Sequence, residues 1–304
     1  MNPPEAPPPP FAVPIPERMG AATSVCVIAN PGAGRGGRRA ALEAAVDRWA
    51  RRGWTIRWRT TGAPGDATAM ARSAAADGVD VVAVAGGDGT VNEAVNGLVG
   101  ARAALAVLPS GTANVLAAQL GLVPWPSPWR TPDLGAAADA LAAGVVRSVD
   151  LGFAEPAGRP GRHFVMWAGV GADAAVVAAL EEPGHKALNA RLGAVAYAIA
   201  GVRVLLSDRG GRAMVCVDGV RRRGRLRCAV VNNIPLYAGL VHLAPEARLD
   251  DGRLDAALFM GASRLRAAAD WLSAGGSVRR RPSGAASSAA EPTPTARCRW
   301  GARP

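Results

Sequence analysis

Lysine is nearly missing from this chain of 304 residues: Lys186 stands alone, and arginine supplies the remaining basic side chains behind a net charge of +11. That imbalance reflects coding bias and not a nucleic-acid interface, so no nucleic acid is expected as a partner. A basic surface favours anionic lipid headgroups or nucleotides instead. Cysteine is also sparse. Cys26, Cys216, Cys228 and Cys298 are scattered without a Cys-x-x-Cys pair, which excludes a zinc-finger site or a disulfide framework and fits a reducing cytoplasm. Long apolar runs are lacking: the longest candidate, Leu192–Leu206, is interrupted by Arg203 and falls short of the roughly 18 residues that span a bilayer. Any membrane contact is therefore expected to be peripheral. Histidine is limited to His163, His185 and His242; these are too dispersed for a Ser-His-Asp arrangement and read as structural.

Three glycine-rich segments stand out against this background. Asn30-Pro31-Gly32-Ala33-Gly34, Gly86-Gly87-Asp88-Gly89-Thr90 and Ser110-Gly111-Thr112-Ala113-Asn114 each follow an apolar, strand-like run. A loop at the carboxyl end of a strand can aim several backbone N–H groups at one anion when glycine permits close approach and positive φ. Three such loops in order point to a nucleotide-phosphate site. No Gly-Lys-Ser/Thr follows Asn30–Gly37, which excludes a Walker-type P-loop. Arg35, Arg38 and Arg39 either assist an anion or form an ordinary solvated helix start.

The surrounding pattern alternates strand and helix. Strands are expected at Ser24–Ala29, Thr55–Thr60, Val79–Ala85 and Leu105–Leu108, and helices at Arg38–Arg51, Asp66–Ala76, Val91–Leu98, Val115–Leu120 and Leu134–Ala143. A repeating βα order implies a parallel sheet with ligands at the carboxyl ends of its strands. From Val149 on strand candidates dominate: Arg147–Phe153, His163–Gly169, Ala213–Val217, Leu226–Asn232 and Arg253–Phe259, with one helical insertion at Leu188–Leu206. The fold class is thus an α/β N-terminal lobe with a parallel sheet plus a mainly β C-terminal lobe. The expected divisions are a disordered Pro-rich extension at 1–22, a nucleotide-binding domain at 23–148, a β-rich domain at 149–278 and a disordered basic tail at 279–304. That tail carries six arginines against Glu291 and offers little to bury. The cleft between lobes is the natural place for an acceptor substrate.

In the second loop, glycines expose backbone donors, Asp88 can orient a cation or a substrate hydroxyl, and Thr90 adds a hydroxyl beside a helix N-terminus. That set suits a triphosphate with Mg²⁺. It also suits a tight strand-to-helix turn with Asp88 as a cap. The third loop repeats the device, with Thr112 and Asn114 able either to reach phosphate or ribose or to cap the next helix. Asp250-Asp251-Gly252 reads as an ordinary acidic turn or as an oxygen-donor cation site.

Taken together, Asn-Pro-x-x-Gly at 30–34, Gly-Gly-Asp-Gly-Thr-Val-Asn-Glu-Ala-Val-Asn-Gly-Leu at 86–98 and Leu-Pro-Ser-Gly-Thr-Ala-Asn-Val-Leu-Ala at 108–117 resemble the diacylglycerol kinase catalytic domain. The likeness is to its bacterial lipid-kinase branch, related to sphingosine and ceramide kinases. It continues through Gly169–Asp173, Val217–Gly219 and Ala244–Asp255 and covers about residues 23–260. The resemblance implies a first lobe like that of NAD kinase and phosphofructokinase, and ATP-dependent phosphorylation of a lipid hydroxyl at the inner face of the membrane. It also implies that Asn30, Thr61, Gly86, Gly87, Asp88, Gly89, Thr90, Val91, Asn92 and Thr112 contact ATP, and that Asp251 holds Mg²⁺ beside the backbone carbonyls of Arg248 and Arg253. The branch carries an Asp-Gly-Glu near its C-terminus as proton acceptor; that tripeptide occurs nowhere here, so Asp88 becomes the candidate catalytic group. A frameshift or truncation after Ser277 would account for the departure. Two alternatives stay open: a catalytically impaired nucleotide- or lipid-binding protein, and a soluble small-molecule kinase.

Overall fold

A computed structural model describes residues 23–34, 38–124, 131–181, 204, 210–237, 241–261, 277–279 and 295–300. Four parallel strands form the heart of the first lobe: β1 (Ser24–Ala29), β2 (Thr55–Thr60), β3 (Val81–Gly86) and β4 (Ala104–Pro109), in the spatial order β2-β1-β3-β4. Every residue of β3 and β4 is buried. Their sequences, VVAVAG and ALAVLP, are apolar throughout because helices cover both faces, as parallel sheets require. On β2, at the edge, burial is partial.

Helix α1 (Arg39–Ala50) buries Leu42, Val46 and Trp49 on one stripe, and the Trp49 indole N–H donates to the Ala138 carbonyl at 2.8 Å, joining α1 to α5 (Leu134–Ala143). Helices α2 (Asp66–Ala76) and α3 (Asp88–Leu98) pack closely. A Cβ on Gly97 would stand 2.3 Å from the Thr68 carbonyl oxygen, so this contact depends on glycine. A short helix, α4 (Val115–Gln119), follows β4.

The sheet continues beyond β4. Strand β5 (Val145–Asp150) is antiparallel to a strand from the end of the chain, β15 (Thr295–Trp300), which lies between β4 and β5. Within the stretch expected as a basic tail, Thr-Ala-Arg-Cys-Arg-Trp at 295–300 alternates apolar and polar residues at the period of a strand and fills a sheet position. The domain boundary at 148 falls inside β5, which runs through Asp150. The extension at 1–22, the helical insertion apart from Val204, and the rest of the tail lie outside the described residues.

After β5 come β6 (Gly152–Ala154), β7 (Arg162–Phe164), β8 (Trp167–Gly171), α6 (Ala172–Glu181), β9 (Gly211–Val217), β10 (Val220–Asn232), β11 (Leu236–Tyr237), β12 (Val241–His242), β13 (Asp255–Met260) and β14 (Ser277–Arg279). The order β14-β13-β10-β8 forms an antiparallel sheet, with β9 added on β10. Its core gathers Ala172, Cys228, Val230, Tyr237, Leu243, Ala257 and Phe259. The larger core of the first lobe reaches past β5 to Val165, Met166, Ile234, Leu236 and Leu249. One packed interior therefore crosses the boundary between lobes.

Asn233 ties that seam. Fully buried, it donates through Nδ2 to the carbonyls of Asp150 at 2.8 Å and Val165 at 2.9 Å. Asn233→Ala leaves two buried carbonyls without this donor, and the expected loss of stability is about 2–4 kcal/mol. A chemical-denaturation midpoint compared at constant m-value checks it.

Candidate active site

Strands β1, β3 and β4 are parallel, so the loops that leave them emerge on one edge of the sheet. They interlock there through backbone and short side chains. The Asn30 N–H donates to the Ala85 carbonyl at 2.9 Å, its Nδ2 donates to Thr90 Oγ1 at 2.8 Å, and its Oδ1 accepts from the Gly32 N–H at 2.9 Å. Gly34, at φ 70°, passes so close to the third loop that a Cβ would stand 2.2 Å from the Ser110 carbonyl oxygen. A Cβ on Gly111 would stand 2.3 Å from the Gly87 Cα. These glycines are required because three backbones meet.

The second loop is shorter than its sequence suggests. Gly87 alone separates β3 from α3, which starts at Asp88 and not near Val91. The first intrahelical bond at this end runs from the Val91 N–H to the Gly87 carbonyl at 3.0 Å. The N–H groups before it, those of Gly89 and Thr90 among them, have no intrahelical acceptor and belong to a helix end that attracts anions. Space above Gly89 is open: a Cβ there would meet nothing within 4 Å. Val91, by contrast, points into the core at 1% exposure.

Asp88 faces the third loop, where its Oδ1 accepts from the Leu116 N–H at 3.2 Å at the start of α4. Burial pushes its carboxyl above the ordinary carboxylate range, against the opposing pull of N–H groups at Val115, Leu116 and Asn114. Asn114 is spent within its own loop. In the left-handed region at φ 51°, it accepts from the Gly111 N–H and donates to the Gly111 carbonyl, both at 2.8 Å. Thr112 lies exposed at the crown of this loop.

Asn92 and Asn96, one helical turn apart, turn toward the second lobe. Asn92 Nδ2 donates to the His163 carbonyl at 3.2 Å while its Oδ1 accepts from the Val165 N–H at 3.2 Å. Asn96 donates to the same His163 carbonyl at 2.9 Å and accepts from the His163 N–H at 2.9 Å. Strand β7 is thus clamped on α3, and the side chain of Asn92 serves the clamp. Sequence reasoning missed this role; two asparagines at i, i+4 on one helix face were its only local signal.

Beside the loops, a cleft of about 680 Å³ opens between the first turns of α1 and the ends of β1 and β2. Asn30, Arg38, Trp58, Thr60 and Ser110 line it, and its size lies in the range of small-molecule sites. Trp58 is 43% exposed there, an unusual state for so large an apolar ring. Arg38 is not free to serve an anion, because its guanidinium donates to the carbonyls of Pro109 and Pro132; Arg39 pairs with Glu43 at 2.8 Å. Arg35 lies outside the described residues. Thr61 is nearly buried and its N–H continues the β1 ladder to Ala29 at 3.0 Å. The turn that follows Thr61 is closed by Asp66, whose carboxylate accepts from the N–H groups of Gly62 and Ala63 and is held below its usual range by them.

The acidic turn sits apart from these loops in the chain and meets Asp150, at the end of β5. Asp150 Oδ2 accepts from the Gly252 N–H at 2.6 Å, and its carboxyl is raised by burial and by the nearby charges of Asp251 and Asp250. Asp251 Oδ1 accepts from the Arg253 N–H at 3.0 Å, and Arg248 reaches Asp250 at 3.3 Å. Among the described residues no cluster of three or more His, Cys, Asp and Glu side chains is arranged to hold a metal. A set of one carboxylate and two backbone carbonyls is not such a cluster, and the crowded negative charge at this turn fits a hard cation.

A further buried carboxyl, Asp173 at the start of α6, accepts from the Tyr237 hydroxyl and is raised by burial. A Cβ on Gly169 would overlap its carboxylate, which explains the glycine at that position. His163 contributes its backbone to the clamp, and its ring packs against Phe153 at a centroid distance of 4.8 Å, tilted by 51°; His242 is exposed, and His185 lies outside the described residues.

Residues 24–154 match the diacylglycerol kinase catalytic domain, and residues 167–279 match the YegS C-terminal NAD kinase beta sandwich-like domain. The chain belongs to the diacylglycerol kinase catalytic-domain family. Within that family it is 32% identical to a diacylglycerol kinase of Bacillus subtilis over 231 residues, covering 75% of this chain and 71% of that protein. A diacylglycerol kinase of Mycobacterium tuberculosis is 30% identical over 245 residues, 80% of this chain and 75% of that one. The structure of a diacylglycerol kinase from Bacillus anthracis superimposes with a TM-score of 0.62 at 27% identity, covering 82% of this chain and 77% of the other. Membership in this family makes the chain a relative of lipid kinases, with their α/β lobe followed by an antiparallel β domain. No helix among the described residues is long and apolar enough to cross a membrane.

Proposed function

We propose that the protein is an ATP-dependent lipid kinase that transfers the γ-phosphate to the hydroxyl of diacylglycerol or a related lipid alcohol. It would work peripherally at the inner, cytoplasmic face of the membrane. The observation that carries this reading is the convergence of three glycine loops whose backbones touch at Gly34–Ser110 and Gly87–Gly111. Space above Gly89 is open at the N-terminus of α3, and Thr112 is exposed at the crown of the third loop. Phosphate oxygens fit this arrangement because its donors are fixed before the ligand arrives.

In this reading the nucleotide base enters the adjoining cleft and packs on Trp58, while Thr61 and Asn30 border the ribose and phosphates. Asp88 accepts the proton of the lipid hydroxyl as its oxygen bonds to the γ-phosphorus and the bond to the departing ADP breaks. A carboxyl raised by burial is suited to that role. Asp251 with the carbonyls of Arg248 and Arg253 would hold Mg²⁺; there the ion would supply positive charge that neutralises the acidic turn and stiffens it.

Trp58→Ala is expected to raise the Kd for ATP about ten-fold through the lost ring contact, with the Kd for inorganic triphosphate unchanged. Calorimetric titration of both ligands checks it, and an equal loss for both would remove the base from this cleft. The absence of an Asp-Gly-Glu favours a second reading, a binding protein without turnover. ATP binding without transfer to any alcohol would establish that reading, whereas transfer to a small polar acceptor without lipid would establish a soluble kinase.

A further inference from the structure

The hairpin of β9 and β10 carries four of its five arginines at 211–225 on one face. Its register sets Arg221 opposite Cys216, Arg223 opposite Met214 and Arg225 opposite Arg212. Directly opposed residues share a face, as do alternate residues along a strand. Arg212, Met214, Cys216, Arg221, Arg223 and Arg225 therefore form a single surface, and all six are exposed. The other face is different: Ala213, Val215, Val217 and Leu226 are half-buried there, and Arg222, opposite Val215, is its single arginine. Strands β8 and β13 pair only with residues 226–232 of β10, so among the described strands residues 211–225 extend from the sheet as a two-stranded ribbon.

Neither strand contributes an acid to the cationic face. The one acid of the hairpin, Asp218, occupies the turn at φ 48°. Arg212 and Arg225 stand directly across from each other, and like charges so placed are destabilising in water. A surface shaped only for solubility intersperses both signs. Met214, 53% exposed at the centre of the arginines, adds an apolar side chain suited to a headgroup layer. The ribbon has no aromatic residue, so it lacks the stacking platforms that single-stranded nucleic acid uses.

We propose that this face docks the protein onto bilayers containing anionic lipid. The inference deepens the lipid-kinase reading and rests on it for the choice of a bilayer as the partner. Co-sedimentation of the full chain, without ATP, with phosphatidylcholine vesicles with and without phosphatidylglycerol tests it. Binding is expected only with phosphatidylglycerol and is expected to weaken with salt. Each basic residue at an anionic surface contributes about a five-fold factor, so R221E/R223E should lower the partition coefficient by at least about 25-fold. R221K/R223K should retain it. Because these side chains are exposed, both variants should melt as the parent does.

Equal binding to both vesicle types, parental binding by R221E/R223E, or preference for a DNA duplex over vesicles would overturn the proposal. Phosphate transfer in neutral-detergent micelles should be unchanged in R221E/R223E. Vesicle binding through the ribbon without any transfer would defeat the kinase reading and leave the docking face standing. Transfer with a ribbon that vesicles ignore would do the reverse.

Discussion

Asp88→Asn is expected to lower the rate of phosphate transfer by about 10²–10⁴-fold, the range for loss of a positioned general base, while the protein stays folded and still binds ATP. The substitution keeps an oxygen that can accept from the Leu116 N–H, the bond Asp88 makes at 3.2 Å, so the link between the second and third loops survives. What it removes is a proton acceptor. It also removes a desolvated charge. The Asp88 carboxyl is raised in the folded state, chiefly by burial, so between its unfolded and folded pKa values the folded protein holds a proton that the unfolded chain has released. Stability from this group is therefore greatest on the acid side of that window and falls as pH rises through the folded pKa. Above that window the ionised group opposes folding, and Asp88→Asn should there melt no lower than the parent, with a flatter dependence of Tm on pH. Activity of the parent should rise with pH as Asp88 loses its proton, and that limb should vanish in the variant. Thermal melts and initial rates measured as functions of pH check both. A variant that transfers phosphate at the parental rate would remove Asp88 from the chemistry.

Gly89→Ala and Gly111→Ala should separate a glycine needed by a ligand from one needed by the fold. At Gly89 a Cβ meets nothing within 4 Å, and the residue lies in the first turn of α3. Alanine there should leave stability unchanged or raise it by up to about 1 kcal/mol through helix propensity. The added methyl would occupy the space proposed for phosphate, and ATP affinity should fall at least ten-fold, a change of about 1.4 kcal/mol. At Gly111 the Cβ would stand 2.3 Å from the Gly87 Cα, backbone against backbone. The loops must separate, which should cost about 1–3 kcal/mol of stability and ATP affinity as well. Melting curves with calorimetric ATP titration of both variants give the comparison. Retained affinity in Gly89→Ala would place the phosphates elsewhere.

The centre of the sheet was readable because β3 and β4 are apolar throughout and the turns that leave β1, β3 and β4 are glycine-rich. Ser24–Ala29 and Thr55–Thr60 fall where the pattern sets them, as do helices Asp66–Ala76 and Leu134–Ala143. Local pattern failed where a residue serves a distant partner. Asp88 looked like a cap for its own helix but reaches the start of α4, because the third loop packs on the second. Asn92 looked like a ligand contact, yet its partners are backbone groups of His163 and Val165, more than 70 positions away. Asp150 gave no sign that it meets the 250–252 turn; only the fold brings β5 there. Trp58 sits on an edge strand, and nothing in TIRWRT distinguishes a cleft wall from a core residue. Strand β15 was obscured by the arginine, proline and serine composition around it, although its own six residues alternate.

Transfer of labelled γ-phosphate from ATP with Mg²⁺ to a panel of lipid alcohols in mixed micelles, with Asp88→Asn measured alongside, tests the central claim most directly. The account predicts label in one lipid alcohol with the parent protein and a loss of about 10²-fold or more with Asp88→Asn. No label in any lipid, from a protein that binds ATP and is folded, would contradict it.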